Sequence, residues 1–198
     1  MNSWPHFSND EIKKTEEILR SGKINYWTGN EGRKFEKEFS KYVDVQHSVA
    51  VDNGTSALIL AAHSLGISKG DEVIMSPRTF VASAFSVMIL GAKPVFIDID
   101  RETQNFDPSL IEAAITPKTK AIMAIHIGGW PCEMNAIKEI CDIHNLYLIE
   151  DCALALGAKF KNKHVGTFGD FSAFSFYPAK HITTADGGML GIKKKVFF

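Results

Sequence analysis

Ala121-Ile122-Met123-Ala124-Ile125 is a run of five apolar residues that stops at His126-Ile127-Gly128-Gly129-Trp130-Pro131. A short apolar run without alternation, closed by glycine and proline, predicts a central parallel strand covered on both faces. Its flanks fit that reading. Residues 107–115 read as a helix, residues 133–144 as an amphipathic helix, and residues 147–150 as the next strand. Farther upstream, strands at residues 48–51, 71–76 and 93–99 alternate with helices at 57–65 and up to residue 90. This alternation from Val49 to Ile149 predicts an α/β fold: three layers, a mostly parallel central sheet, and helices on both faces. Two helices precede it. Residues 8–21 have Ser8, Asn9 or Asp10 as cap, Ile12, Ile18 and Leu19 as a partial apolar face, and Gly22 as stop. Residues 33–43 carry Phe35, Phe39, Tyr42 and Val43 at helical spacing, which predicts core packing.

Composition narrows the function classes. The 198 residues are 45% hydrophobic and 23% charged, as in an ordinary globular protein. A net charge of -1 argues against nucleic acid or an anionic membrane as bulk partner. No apolar run is long enough to span a bilayer. Met1 to His6 lack the basic start and apolar segment of a signal peptide, so a cytoplasmic location is expected. Cys132, Cys141 and Cys152 are odd in number and lack metal-ligand spacing. They read as free buried thiols, with no metal site expected.

Parallel sheets bind ligands at the carboxyl ends of their strands. Gly54, Phe80, His126, Asp151 and Lys180 each follow directly after a predicted strand, which predicts one shared pocket. Each has a plainer reading. Asn53-Gly54-Thr55-Ser56 is an anion site at a helix N-terminus, or simply a cap. Phe80 stacks on a ligand, or fills the core. His126 is a site residue, or packed and hydrogen-bonded. Asp151 is a functional carboxylate, or a helix cap together with Glu150. Lys180 sits in Phe174-Ser175-Phe176-Tyr177-Pro178-Ala179-Lys180, before the turn that ends at Gly188. It is an amine whose pKa apolar walls depress, suited to Schiff-base chemistry, or a solvated loop lysine. No G-x-G-x-x-G follows the first strand, which counts against a dinucleotide-binding domain.

The order of three motifs is more specific than any one of them. NGTSAL at 53–58, IED at 149–151 and FSFYPAK at 174–180, followed by DGG at 186–188, resemble the DegT/DnrJ-type sugar-nucleotide aminotransferases. These are pyridoxal-phosphate enzymes of the fold-type I aspartate aminotransferase superfamily, and the likeness is to its perosamine-synthetase-like members. The resemblance implies pyridoxal 5'-phosphate held by Lys180 as an internal aldimine, with Lys180 then moving the proton. It implies Asp151 on the pyridinium nitrogen, Phe80 stacked on the ring, and Gly54, Thr55, Ser56 and Ser175 on the phosphate. Trp27, Thr28, Gly29 and His181 would border the sugar nucleotide. Glutamate would donate the amine to a nucleotide-linked 4-keto-6-deoxy sugar, for surface polysaccharide such as LPS O-antigen, in a homodimer. A related branch with histidine at the lysine position removes a 3-hydroxyl instead; this chain has Lys180 and then His181.

Three features depart from the family pattern. Leu154 stands where a glutamine usually bonds the cofactor's ring oxygen. Ala185-Asp186-Gly187-Gly188 replaces Gly-Glu-Gly-Gly, so Ala185 is strained if its φ is positive. Family members also continue into a smaller C-terminal domain. The expectation is therefore a cofactor-binding large domain over 1–198, the small domain missing, with 191–198 an atypical tail. A degenerate, non-catalytic remnant is the competing expectation.

Overall fold

The computed structural model describes residues 4–193; residues 194–198 of the expected tail lie outside it. Its elements in chain order are α1 (Asn9–Ser21), α2 (Glu31–Val43), β1 (His47–Val51), α3 (Gly54–Ser64), β2 (Glu72–Met75), α4 (Ala82–Met88) and β3 (Lys93–Phe96). There follow α5 (Ile111–Ala114), β4 (Thr119–Ile125), α6 (Met134–His144), β5 (Tyr147–Asp151), β6 (Lys159–Phe160), β7 (Lys163–His164), β8 (Phe171–Ser175) and β9 (Gly188–Ile192). Seven strands form one sheet in the order β1-β9-β8-β5-β4-β2-β3. The five from β8 to β3 are parallel; β9 is antiparallel to both β8 and β1. Two antiparallel steps restore direction, so β1 also points its carboxyl end to the edge where β2, β4, β5 and β8 end.

Side chains alternate across the sheet as strand pleating requires. Val73, Met75, Ala121, Met123, Ile125 and Ile149 face α3 and α4. Ile74, Ile122, Ala124 and Leu148 face α5 and α6. Phe39 and Val43 of α2 extend that second layer over Phe174, Phe176 and Met189. The fold is thus the three-layer, mostly parallel sheet expected. Ala57, Ala61 and Ala62 are fully buried, and their short side chains let α3 lie close on the sheet.

Some local expectations change. Ser8 caps α1 in a reciprocal capping box with Glu11, and Gly22 ends it at φ 69°, yet no residue of α1 is buried. Tyr42 is exposed and lies against the His164 ring at 5.3 Å, outside the core assigned to its helix face. Residues 107–115 form a 3-10 turn and a four-residue helix, because Pro108 opens the segment and Asp107 caps Ser109 N–H. The β6–β7 hairpin was not expected; its two-residue strands are too short for periodicity to reveal. No described helix is long and apolar enough to cross a membrane.

Candidate active site

Strand register builds the site. Val51, Gly188 and Ser175 lie side by side across β1, β9 and β8. That alignment sets the turn at Asn53–Gly54 directly over Ser175. A Cβ on Gly54 would meet Ser175 Cβ at 2.9 Å, and one on Gly188 would sit 2.4 Å from the Asn53 carbonyl carbon. Both glycines are needed for close approach. Asn53 Oδ1 accepts the Ser56 N–H at 2.9 Å and caps α3. The N–H groups of Gly54 and Thr55, in the first turn of α3, keep no partner among the described residues. Two unpaired donors at the positive end of a helix are suited to an anion.

Asp151 ends β5 and is 7% exposed. Its Oδ2 accepts from Ser83 Oγ at 2.7 Å and its Oδ1 from Ala153 N–H at 3.1 Å. Ser83 spends its proton on the carboxylate, so the 2.7 Å contact with Thr79 makes Thr79 the donor to Ser83. A chain of hydroxyls thus fixes the carboxylate plane. Asp151 caps no helix, which removes its plainer reading.

Glu150, one residue earlier, points to the opposite face and is fully buried. Its Oε1 accepts the N–H groups of Phe168 and Gly169, and Oε2 that of Gly166, each at 2.7 Å. His126 Nε2 lies 3.2 Å from the same Oε2. Cys132 N–H donates to His126 Nδ1 at 3.1 Å, so the His126 proton sits on Nε2 and donates to Glu150. His126 is therefore packed and hydrogen-bonded, its side chain fully buried. His126, Glu150 and Cys152 come within 4.8 Å of one another. Both ring nitrogens and both carboxylate oxygens are already engaged, so this group is a structural tie and a poor cation site. All three cysteines are free and buried, and desolvation first of all pushes their thiol pKa values up.

Gly54, Thr55, Phe80, His126, Asp151, Ser175 and Lys180 all line one cavity of about 550 Å³, so His126 is both hydrogen-bonded and part of the cavity wall. Phe80 is 77% exposed on its wall, which excludes the core reading. Lys180 is half-buried, and its amine has no partner among the described residues. Ser56, Trp27, Thr28, Gly29 and His181 do not line the cavity; Trp27 is 93% exposed. Ser83 and Thr79 do line it, and residue-type reasoning missed them. Leu154 also lines it and brings no hydrogen-bonding group to its position. Ala185 adopts φ 72°, so the strain expected of a non-glycine there is present.

The cavity thus joins an unpaired amine, a fixed carboxylate, an exposed ring and a donor pair suited to an anion. Comparisons with known proteins place the whole chain in a family. The family model described as DegT/DnrJ/EryC1/StrS aminotransferase matches residues 5–195. The chain belongs to this aminotransferase family. It is 46% identical over 194 residues to the GDP-perosamine synthase of Escherichia coli O157:H7, covering 98% of this chain and 53% of that protein. It is 45% identical over 188 residues to the spore coat polysaccharide biosynthesis protein SpsC of Bacillus subtilis, covering 95% of this chain and 48% of SpsC. An aminotransferase from Psychrobacter cryohalolentis superposes with TM-score 0.97 at 46% identity, over 99% of this chain and 50% of that one. The sugar aminotransferase Spr1654 from Streptococcus pneumoniae, solved in PLP and PMP forms, gives TM-score 0.93 at 31% identity, over 99% of this chain and 53% of that one. The chain spans about half the length of the curated relatives it matches.

Proposed function

We propose that this chain is the cofactor-binding large domain of a pyridoxal-phosphate aminotransferase that aminates a nucleotide-linked 4-keto-6-deoxy sugar, with glutamate as donor. The observation that carries this is the convergence of Lys180, Asp151 and the Gly54–Thr55 N–H pair on one cavity. The donor set fits the cofactor: a phosphate matches two unpaired N–H groups, a pyridinium nitrogen matches a fixed carboxylate, and an aldehyde matches a free amine. When bound, the cofactor supplies an electron sink for carbanion chemistry.

This chain's own residues do the rest. Gly54 and Thr55 N–H groups, with Ser175, hold the phosphate, and Ser56 supports that turn through its cap. Asp151, steadied by Ser83, holds the proton on the ring nitrogen. Phe80, exposed on the cavity wall, would offer its ring face to the cofactor ring. Lys180 Nζ anchors the cofactor and afterwards carries the proton at the reacting carbon. Trp27, Thr28, Gly29 and His181 serve the sugar nucleotide from outside the cavity wall. Lysine at position 180 favours amination over the dehydratase chemistry of the histidine branch.

The name of SpsC, a spore coat polysaccharide biosynthesis protein, supports a product used in polysaccharide, and that of GDP-perosamine synthase a nucleotide-linked amino sugar. Val81, Phe85, Met88 and Ile89 expose a continuous apolar face along α4 beside the cavity, which supports a homodimer. The competing reading, a non-catalytic remnant, is favoured by Leu154 and by the strained Ala185. Incubation with pyridoxal phosphate, borohydride reduction and peptide mass mapping test the proposal. Label on Lys180 supports it; no label, or label spread over surface lysines such as Lys13 and Lys69, refutes it.

A further inference from the structure

Lys180 lies in the loop joining β8 to β9, and the way that loop is held is unusual. Lys180 N–H bonds Tyr177 O at 2.9 Å, and Thr184 N–H bonds Phe176 O at 3.2 Å. Thr183 Oγ1 donates to Phe176 O at 2.8 Å, Thr184 Oγ1 to Asp186 O at 2.6 Å, and Ala185 N–H to Thr183 Oγ1 at 3.1 Å. Among the described residues, every hydrogen bond of residues 177–186 but one ends within residues 175–187. The exception comes from 174 residues away: Trp4 Nε1 donates to Pro178 O at 2.7 Å.

We propose that Trp4 is a positioning residue for Lys180, its indole N–H holding the Pro178 carbonyl and so fixing the turn from which the amine enters the cavity. This rests on the cofactor reading of Lys180. Indole is a donor only, and 2.7 Å is at the short end for N–H···O. The bond falls two residues before the lysine, at the start of the turn closed by Lys180 N–H on Tyr177 O. Trp4 does not line the cavity, so it acts through the backbone. Trp4 is 59% exposed, and the capping box of Ser8 that starts α1 follows four residues later. This bond joins the N-terminal segment to the lysine turn, although they are distant in sequence.

The test uses the 198-residue chain with Trp4→Phe, which keeps a ring but loses the N–H, and Trp4→His, which keeps a ring N–H. Hydrogen exchange is read without cofactor at the Lys180 and Thr184 amides, with α3 and β5 as internal references. The rate of pyridoxal phosphate attachment to Lys180 is read by borohydride trapping. Trp4→Phe is expected to speed exchange and slow attachment about two- to five-fold, the size of one net hydrogen bond, with α3 and β5 unchanged and Trp4→His closer to wild type. Unchanged exchange, faster exchange without slower attachment, or loosening of α3 and β5 as well would each overturn the proposal. Wild-type chain that attaches no cofactor overturns it by a different route, since the cofactor reading itself then fails.

Discussion

Replacing Glu150 by glutamine changes one atom and should unfold the chain far more easily. Four donors converge on the Glu150 carboxylate: the N–H groups of Gly166, Phe168 and Gly169, and the His126 ring N–H. Glutamine offers one acceptor oxygen and one amide nitrogen. If the oxygen faces Phe168 and Gly169, the nitrogen opposes Gly166 N–H and His126 Nε2–H. Flipping the amide only moves the conflict to Phe168 and Gly169. His126 cannot relieve it by shifting its proton to Nδ1, because Cys132 N–H already points there. Two fully buried donors therefore lose their acceptor, at about 1–3 kcal/mol each, or about 2–6 kcal/mol together. Removing a buried charge works the other way and keeps the expected loss near the middle of that range, about 4 kcal/mol. For a chain of this size, each kcal/mol moves the midpoint about 2–4 °C, so the melting temperature should fall about 8–16 °C. Thermal unfolding followed by circular dichroism at neutral pH measures it. A fall under about 2 °C would show that the carboxylate is not the tie drawn here.

Ala185→Gly relieves the positive φ and should raise stability by about 1 kcal/mol in urea unfolding; a lower midpoint would contradict the strain. Gly188→Ala drives a Cβ against the Asn53 backbone and should cost about 1–3 kcal/mol while weakening pyridoxal phosphate affinity, and an unaltered protein would refute the close-packed cradle. Ser83→Ala leaves Asp151 Oδ2 without its donor and should weaken cofactor binding about ten-fold with little loss of secondary structure. The Cys141 thiol is pushed up to about 12 by burial, and Cys132 and Cys152 are also raised. At pH 8 only about one Cys141 thiol in ten thousand is ionised, so a chromogenic disulfide reagent should report thiols only as the chain unfolds. Rapid reaction in the native state would contradict their burial.

The strands of the sheet were legible because apolar runs such as residues 121–125 carry their burial in their composition. The shared cavity was legible because parallel strands deliver their carboxyl ends to one edge. What stayed hidden depends on partners far away in sequence. Glu150 and Asp151 read as a pair of carboxylates, yet the strand sends them to opposite faces, and the backbone donors to Glu150 arrive 16 to 19 residues later, with His126 24 residues earlier. Ser83 reaches Asp151 across 68 residues, and its only local signal is a small polar residue in the first turn of α4. Phe80 could not be told from a core phenylalanine by type, because only the cavity shows its exposed face. The antiparallel placement of β9 between β1 and β8 has no local signature either, yet it is what sets Gly188 beneath the Asn53–Gly54 turn.

The central claim is that the Lys180 amine, the Asp151 carboxylate and the Gly54–Thr55 turn serve one ring and its phosphate. Titration of the chain with pyridoxal phosphate, followed by absorbance, tests it most directly. The account predicts a saturable band near the visible edge for the wild-type chain and its loss in Lys180→Ala. Identical spectra for the two proteins would contradict it.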